Sequence, residues 1–196
     1  MTVIPTIDIA LRPRSRRRVR LVLAALSAGG LAVLAWASFV SPLPRLVYNP
    51  SDSVAVGWYR VDPPTRHAGS LPPAMHVGSI VLVPLPATAA ALAVRRGYLP
   101  LRIPLLKPVA AVAPQQVCIT EGIVRIDGVP VAAVLRTDGI GRPLRAWLSC
   151  RCLRPGELFL LSTTNPASFD SRYFGPVRAD TVLGVAHPVR LETRPW

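Results

Sequence analysis

The chain is organised around the stretch Tyr48-Asn49-Pro50-Ser51-Asp52-Ser53-Val54-Ala55-Val56-Gly57-Trp58-Tyr59. Small hydroxyl residues lie beside Pro, Asn and Gly, and apolar and aromatic residues follow at once. This pattern predicts a turn that presents a side chain at the edge of β-structure. Ser53 is therefore a candidate nucleophile, although a serine in a turn more often only hydrogen-bonds the backbone.

The composition around this stretch favours a mainly β protein. The 196 residues include 22 prolines and 13 glycines, and both residue types are unfavourable inside helices. One soluble helix is predicted over 87–96, ended by Gly97. Apolar runs bounded by turn residues predict strands over 54–61, 79–83, 105–112, 158–162 and 181–189, a hairpin around Asp127-Gly128 within 117–134, and loops over 136–155 and 168–176.

An apolar segment near the N-terminus predicts a transmembrane helix. Residues 21–40 carry no charged side chain, and twenty helical residues cover about 30 Å, the thickness of the hydrocarbon layer. Six arginines lie in the preceding segment 1–20. The positive-inside rule therefore predicts a cytoplasmic N-terminus and an exported domain over 41–196.

A cleavable signal peptide is the alternative interpretation of the same segment. Its apolar core would be 21–34, and Ala35-Trp36-Ala37 would be the small-x-small site before Ser38. Both interpretations export the domain, and the apolar length favours the retained helix. Because the Pro-rich linker 41–52 extends at most about 40 Å, Ser53 is expected near the membrane surface.

Lys107 is the only lysine in a chain of net charge +13. In a strand over 105–112 it shares a face with Leu105 and Val109, so its amine projects among aliphatic side chains. Burial there would lower the pKa of Lys107 and allow the amine to act as a base near neutral pH. The alternative is a surface lysine that keeps its charge in water. Pro108 places this segment at a sheet edge or at a strand start.

The arginine excess leaves a second class of function open. The domain 41–196 holds seventeen basic and nine acidic residues, a net charge of +8. A non-catalytic envelope or secretion-channel protein could use that charge to bind anionic lipid, DNA or protein partners. We expect no specific nucleic-acid partner, because export removes the domain from cytoplasmic DNA.

The cysteines and histidines predict a disulfide rather than a metal site. Cys118, Cys150 and Cys152 lie in the domain expected to be exported, which favours a disulfide between Cys118 and one of the other two. Their spacing matches no usual zinc site. The histidines are scattered, which argues against a Ser-His-Asp triad. No metal and no cofactor are expected.

Several ordered blocks in this chain resemble the signal peptidase I family, and within it the conjugal-transfer branch of TraF-type peptidases. The blocks are Ser53 with Gly57 and Tyr59, then Arg96-Gly97-Tyr98-Leu99-Pro100, Pro104-Leu105-Leu106-Lys107, Val109-Ala110-Ala111, and Ser168-Phe169-Asp170-Ser171-Arg172-Tyr173-Phe174-Gly175-Pro176. Two departures from the family, Ala55 two residues after Ser53 and Ala113-Pro114-Gln115, bear on loop shape and substrate fit.

The resemblance implies a mainly β, signal-peptidase-like domain behind one transmembrane helix, with a Ser/Lys catalytic dyad. Ser53 matches the nucleophile, and Lys107 matches the general base. Ser51 matches the oxyanion-hole hydroxyl, and Ser168 matches the hydroxyl that orients the lysine. The remaining matches are Asp170 and Arg172 as a supporting charged pair, with Asp170 also proposed to act in catalysis, and a disulfide between Cys118 and Cys150.

The function implied is that of a single-pass serine endopeptidase of the bacterial inner membrane, with its catalytic domain in the periplasm. It would cleave exported precursors after small residues, and a conjugative pilin precursor is the expected substrate. Its partners would be that propeptide, the lipid bilayer and conjugation or type IV secretion components. A self-cleaving repressor of related fold is disfavoured by the outward topology.

Overall fold

The computed structural model describes residues 13–39, 46–64, 75–100 and 103–192. The chain forms two compact units, residues 1–42 and 43–196. The first contains the helix α1, Pro13–Phe39, within which the span Arg16–Trp36 is long and apolar enough to cross a membrane. The helix begins before the apolar run because proline suits a first helical position and arginine is a good helix former. The predicted span therefore lies in α1 as far as Phe39, and Val40 is outside the described residues.

The second unit is mainly β, as predicted. Its elements, in chain order, are β1 Leu46–Asn49, β2 Gly57–Asp62, β3 Ile80–Val83, α2 Ala87–Arg96, β4 Leu105–Val112, β5 Gln116–Thr120, β6 Ile123–Ile126, β7 Val129–Ala133, β8 Cys150–Cys152, β9 Glu157–Leu160, α3 Ser171–Phe174, β10 Val177–Arg178, a 3-10 turn Ala179–Thr181 and β11 Gly184–Leu191.

The strands form two sheets. The larger has seven strands in the order β1-β2-β11-β3-β4-β9-β10, and the smaller has four in the order β7-β6-β5-β8. Neighbouring strands pair antiparallel in both. The chain enters the small sheet after β4 and returns to the large sheet at β9.

The predicted helix 87–96, the strand 105–112 and the Asp127-Gly128 turn are confirmed. Gly97 ends α2 with φ of 70°, where its backbone N–H donates to carbonyls of the last turn. Asp127 and Gly128 have φ of 50° and 81°. Positive φ at both central residues is what a two-residue hairpin turn of type I′ requires.

Three short elements lie in segments for which the sequence predicted linker or loop. The strand β1 lies in the predicted linker 41–52, β8 lies in the predicted loop 136–155, and α3 lies in the predicted loop 168–176. Elements of three or four residues are too short to show a hydrophobic period in the sequence. Whether they form depends on the segments with which they pair or pack. The β2 strand begins at Gly57 rather than Val54, because residues 50–55 form the turn.

The prediction that Pro108 marks an edge or a strand start was wrong. It lies inside β4, between β3 and β9. Pro108 pairs with Ile80 of β3, and pairing with β9 begins only at the next residue, Val109, opposite Leu160. Proline has no backbone N–H to donate to a neighbouring strand. At Pro108 this loss is tolerated because the position lies opposite the end of β9, where the Pro108 carbonyl still accepts a hydrogen bond from Leu161 N at 3.1 Å.

The two faces of the large sheet carry separate apolar clusters. One contains Val81, Val83 and Val109, and the other contains Leu82 and Leu106. Lys107 shares its face of β4 with Leu105 and Val109, as predicted, because successive side chains alternate across a strand. The fold therefore places an amine on an otherwise aliphatic face of a central strand.

Candidate active site

The turn between β1 and β2 is held by Asn49, which is 5% exposed. Its Nδ2 donates to the carbonyls of Ser51, Val54 and Ala55 at 2.7, 3.2 and 3.2 Å. Its Oδ1 accepts from the Ser51 backbone N–H at 3.3 Å and from Ser51 Oγ at 2.9 Å. One buried amide thus fixes the backbone on both sides of Ser53.

The turn brings Ser53 to Lys107 of β4. The Nζ atom of Lys107 donates to Ser53 Oγ at 2.6 Å and to Ser168 Oγ at 2.6 Å. The two serine oxygens are 3.3 Å apart. All three residues are buried, with exposures of 6% for Ser53, 4% for Lys107 and 3% for Ser168. Ser53 and Ser168, which are 54 and 61 positions from Lys107 in sequence, therefore form one hydrogen-bonded cluster with it.

Burial lowers the pKa of Lys107 from 10.5 to about 8. Desolvation of the ammonium is the largest cause, the carboxylate of Asp170 opposes it, and the charge of Arg172 adds to it. An amine with a pKa of about 8 is neutral in about a tenth of the molecules at pH 7. The site therefore supplies a base that is poised close to neutral pH.

Asp170 and Arg172 form a fully buried ion pair behind the cluster. The guanidinium donates to both carboxylate oxygens at 2.8 Å. It also donates to the carbonyls of Ala133, Asn165 and Ser168 at 3.0, 3.2 and 3.3 Å. The pair thus fixes the backbone of Ser168, whose hydroxyl contacts Lys107.

The cluster opens onto a cavity of about 350 Å³. Apolar side chains dominate its walls, and the hydroxyls of Ser51, Ser53 and Ser168 are among its polar groups. Its lining also includes Leu85, Ala93, Tyr98, Leu99, Leu105, Leu135, Thr137, Asp138, Gly139, Leu144, Asn165, Ala167, Phe169 and Tyr173. Concave apolar sites with a few convergent polar groups are typical of substrate pockets.

Every site residue predicted from the sequence lies at this cavity or directly behind it, except for the cysteines. Cys118 and Cys150 form a disulfide between β5 and β8, and Cys152 is exposed with a free thiol. Sequence reasoning missed Asn49 and the contact between Tyr98 and Asp138. The Asn49-Pro50 step was a usable signal, because asparagine side chains commonly bond the backbone of such turns.

The comparisons with known proteins define the class as a peptidase. Residues 18–190 match the model of the family described as signal peptidase, peptidase S26. Because that match covers most of the chain, the chain belongs to the signal peptidase family S26.

Within this class, the chain is similar to proteins of conjugal transfer. It is 31% identical to the probable conjugal transfer protein TraF of Sinorhizobium fredii, over 95% of this chain and 96% of that protein. It is 38% identical to the conjugal transfer protein TraF of Agrobacterium tumefaciens, over 74% of this chain and 81% of that protein.

Among solved structures, the chain resembles a signal peptidase I from Enterococcus faecalis. The TM-score is 0.36 at 21% identity, over 57% of this chain and 95% of that one. This is a weak likeness, and the family assignment rests on the sequence matches.

Proposed function

We propose that the protein is a membrane-anchored serine endopeptidase in which Ser53 is the nucleophile and Lys107 is the general base. The observation that carries the proposal is the 2.6 Å contact between Lys107 Nζ and Ser53 Oγ at the buried end of an apolar cavity. A nucleophile within hydrogen-bond reach of a base, with the base oriented by a third group, is the arrangement that covalent catalysis requires.

The reaction needs Lys107 to be neutral. Its lone pair then takes the Ser53 proton while Oγ attacks the scissile carbonyl, and the resulting ammonium returns that proton to the leaving amine. In the second half of the reaction, Lys107 takes a proton from water as the resulting hydroxide attacks the ester carbonyl. The bond between the acyl carbon and Ser53 Oγ then breaks, and the Lys107 ammonium returns its proton to Oγ, which releases the carboxyl product and regenerates both residues. Ser168 accepts an N–H of the amine at 2.6 Å throughout, which directs the lone pair toward Ser53.

Ser51 is proposed to stabilise the tetrahedral oxyanion together with the Ser53 backbone N–H. It lines the cavity, and its hydroxyl donates to Asn49 Oδ1 at 2.9 Å. Rotation about its Cα–Cβ bond would redirect that proton to the oxyanion. An oxyanion-hole donor lowers the barrier by about 3 kcal/mol, and the cost of breaking the contact with Asn49 reduces this gain for Ser51.

The substrate class is proposed to be an exported precursor cut after a small residue, with a conjugative pilin as the expected example. Two observations support an exported substrate of conjugal transfer, namely the similarity to conjugal transfer proteins and an N-terminal helix apolar enough to span a membrane. The six arginines before the apolar run favour a cytoplasmic N-terminus and a periplasmic catalytic domain.

The proposed function is tested by mass spectrometry of a candidate pilin precursor expressed with the full chain. We expect wild type and Ser149→Ala to give the shortened product, because Ser149 does not line the cavity. Ser53→Ala should leave the precursor intact. Processing by Ser53→Ala at the wild-type rate would contradict the assignment of the nucleophile.

A further inference from the structure

Asp138 is the only carboxylate among the described residues that line the cavity. Tyr98 Oη donates a short hydrogen bond to its Oδ2. Arg142 Nε donates to Oδ2 at 2.6 Å, and the backbone N–H groups of Arg142 and Ile140 donate to Oδ1 at 2.8 and 3.2 Å. The carboxylate is thus saturated with donors from two separate parts of the chain.

These contacts fasten the loop 136–144 to the end of α2. Arg96 approaches Asp138 at 3.7 Å and donates to the Pro143 carbonyl at 2.8 Å. Arg142 donates to the Arg96 carbonyl at 3.2 Å in return, and its guanidinium lies 5.4 Å from the centre of the Tyr98 ring. Both joined segments contribute to the cavity wall.

A continuous chain of aromatic contacts links this wall to the Ser53–Lys107 cluster. The Tyr98 ring lies 5.4 Å from that of Phe169, which stacks on Tyr173 at 5.7 Å. Phe169 directly follows Ser168, whose hydroxyl contacts Lys107. A shift of Tyr98 would therefore alter the cavity beside the reacting atoms.

We propose that Asp138 is a positioning residue that sets the width of the substrate cavity by clamping the loop 136–144 and Tyr98 onto α2. The proposal rests on the proposed peptidase function and adds to it a determinant of side-chain size. Removing the clamp widens the cavity and weakens the preference for a small residue before the scissile bond. The chemistry at Lys107 is unaffected.

The clamp stays charged over the working pH range. Burial alone would raise the pKa of Asp138, but the hydrogen bonds from Tyr98 and Arg142 outweigh it and hold the pKa well below its usual range. The carboxylate therefore does not release Arg142 as the pH changes around neutrality. The clamp works as a fixed wall and does not act as a pH switch.

The kinetic test compares two quenched fluorescent peptides, one with Ala-Gln-Ala before the cut and one with Ala-Gln-Leu. For Asp138→Asn in the full chain, we expect kcat/KM on the alanine peptide to fall about tenfold, mainly through KM. The preference for alanine over leucine should also shrink about tenfold. The midpoint of the pH profile should not move, since Lys107 is unchanged.

Two variants sharpen this test. Glu157→Gln is the matched control, because Glu157 pairs with Arg151 at 2.6 Å and does not line the cavity. Glu157→Gln should leave kcat/KM on each peptide, and the preference for alanine over leucine, at the wild-type values. Tyr98→Phe removes the hydroxyl and keeps the ring, and adding it to Asp138→Asn should cause little further loss if both act through one contact.

Limited trypsin digestion tests the clamp without relying on activity. Arg136 is exposed at the start of the loop, so Asp138→Asn should be cut at the Arg136–Thr137 bond several-fold faster than wild type and Glu157→Gln. Unchanged cutting, or an unchanged alanine preference, overturns the proposal. If wild type cleaves neither peptide, the proposed function fails, while the trypsin result still decides whether Asp138 closes the loop.

Discussion

Lys107 and Arg172 are both buried cations of the same domain, but their surroundings differ. Arg172 has a bidentate carboxylate partner and backbone carbonyls around it. Lys107 donates its two hydrogen bonds to serine hydroxyls, and burial lowers its pKa to about 8. A carboxylate stabilises the charged form of a cation, whereas hydroxyls also accept the neutral form as a partner.

The two residues therefore differ in what their charge does. Arg172 holds the backbone around it, whereas Lys107 carries a proton that is easily lost. Arg172 pairs with both oxygens of Asp170 and holds the segment 162–170 in place through its carbonyl contacts. Lys107 is built to lose its proton easily, at a cost in stability. Exchanging the two residue types should therefore damage different properties.

The largest expected effect is that of Lys107→Arg. A guanidinium does not deprotonate near neutral pH, so in the proposed mechanism the Ser53 proton would have no acceptor. We expect kcat/KM to fall by about a thousandfold, measured by cleavage of the alanine peptide in detergent micelles. Activity within tenfold of wild type would remove the distinction between the two cations.

The reverse exchange, Arg172→Lys, should chiefly reduce stability. An ammonium cannot pair with both oxygens of Asp170 and reach the surrounding carbonyls, so several buried acceptors lose their donors. We expect the free energy of unfolding to fall by about 3 kcal/mol, measured by urea unfolding. A variant as stable as wild type would show that the bidentate geometry is unimportant.

A smaller effect of opposite sign is expected for Lys107→Met. The folded-state pKa of Lys107 lies below its unfolded value of 10.5. Burying the charged amine therefore lowers the free energy of unfolding, and the whole of this penalty is present below pH 8. This penalty fades between pH 8 and 10.5, where the folded state is neutral. Lys107→Met should be about 2 kcal/mol more stable at pH 7, after the loss of two hydrogen bonds.

The urea unfolding of Lys107→Met should be followed from pH 7 to pH 10 beside wild type. The advantage of the variant should disappear toward the upper end of that range. A constant difference across the range would mean that the amine is not strained in its charged form.

The smallest effect is the pH dependence of the wild-type enzyme. In the proposed mechanism only neutral Lys107 accepts the Ser53 proton, so kcat/KM should rise with pH around a midpoint of about 8. Activity at pH 7 should then be about a tenth of the plateau at high pH. A profile that is flat from pH 6 to pH 9 would exclude this base.

Much of the fold and site could be predicted from the sequence, for physical reasons that differ between elements. The strand 105–112 and the helix 87–96 are long enough to show a period and their end signals. Lys107 could be picked out as a candidate base because it is the only lysine in an arginine-rich chain. The short strands β1 and β8 exist only because a partner strand pairs with them.

Spatial relations across the chain could not be predicted from the residues alone. The meeting of Ser53 with Lys107 depends on Asn49 closing a turn and on β4 lying inside the sheet. Asp138 gave no signal, because its partner Tyr98 is 40 residues away and no local pattern joins them. Side-chain contacts at such separations follow from the packing of elements.

The most direct test of Lys107 as the general base is a ¹³C NMR titration of protein labelled at lysine. Lys107 is the only lysine, so the spectrum contains one Cε signal and needs no assignment. If Lys107 is the base, this signal should titrate with a midpoint of about 8, matching the midpoint of the kcat/KM profile. A Cε signal that titrates near the ordinary value of 10.5 would contradict the claim that Lys107 is the base.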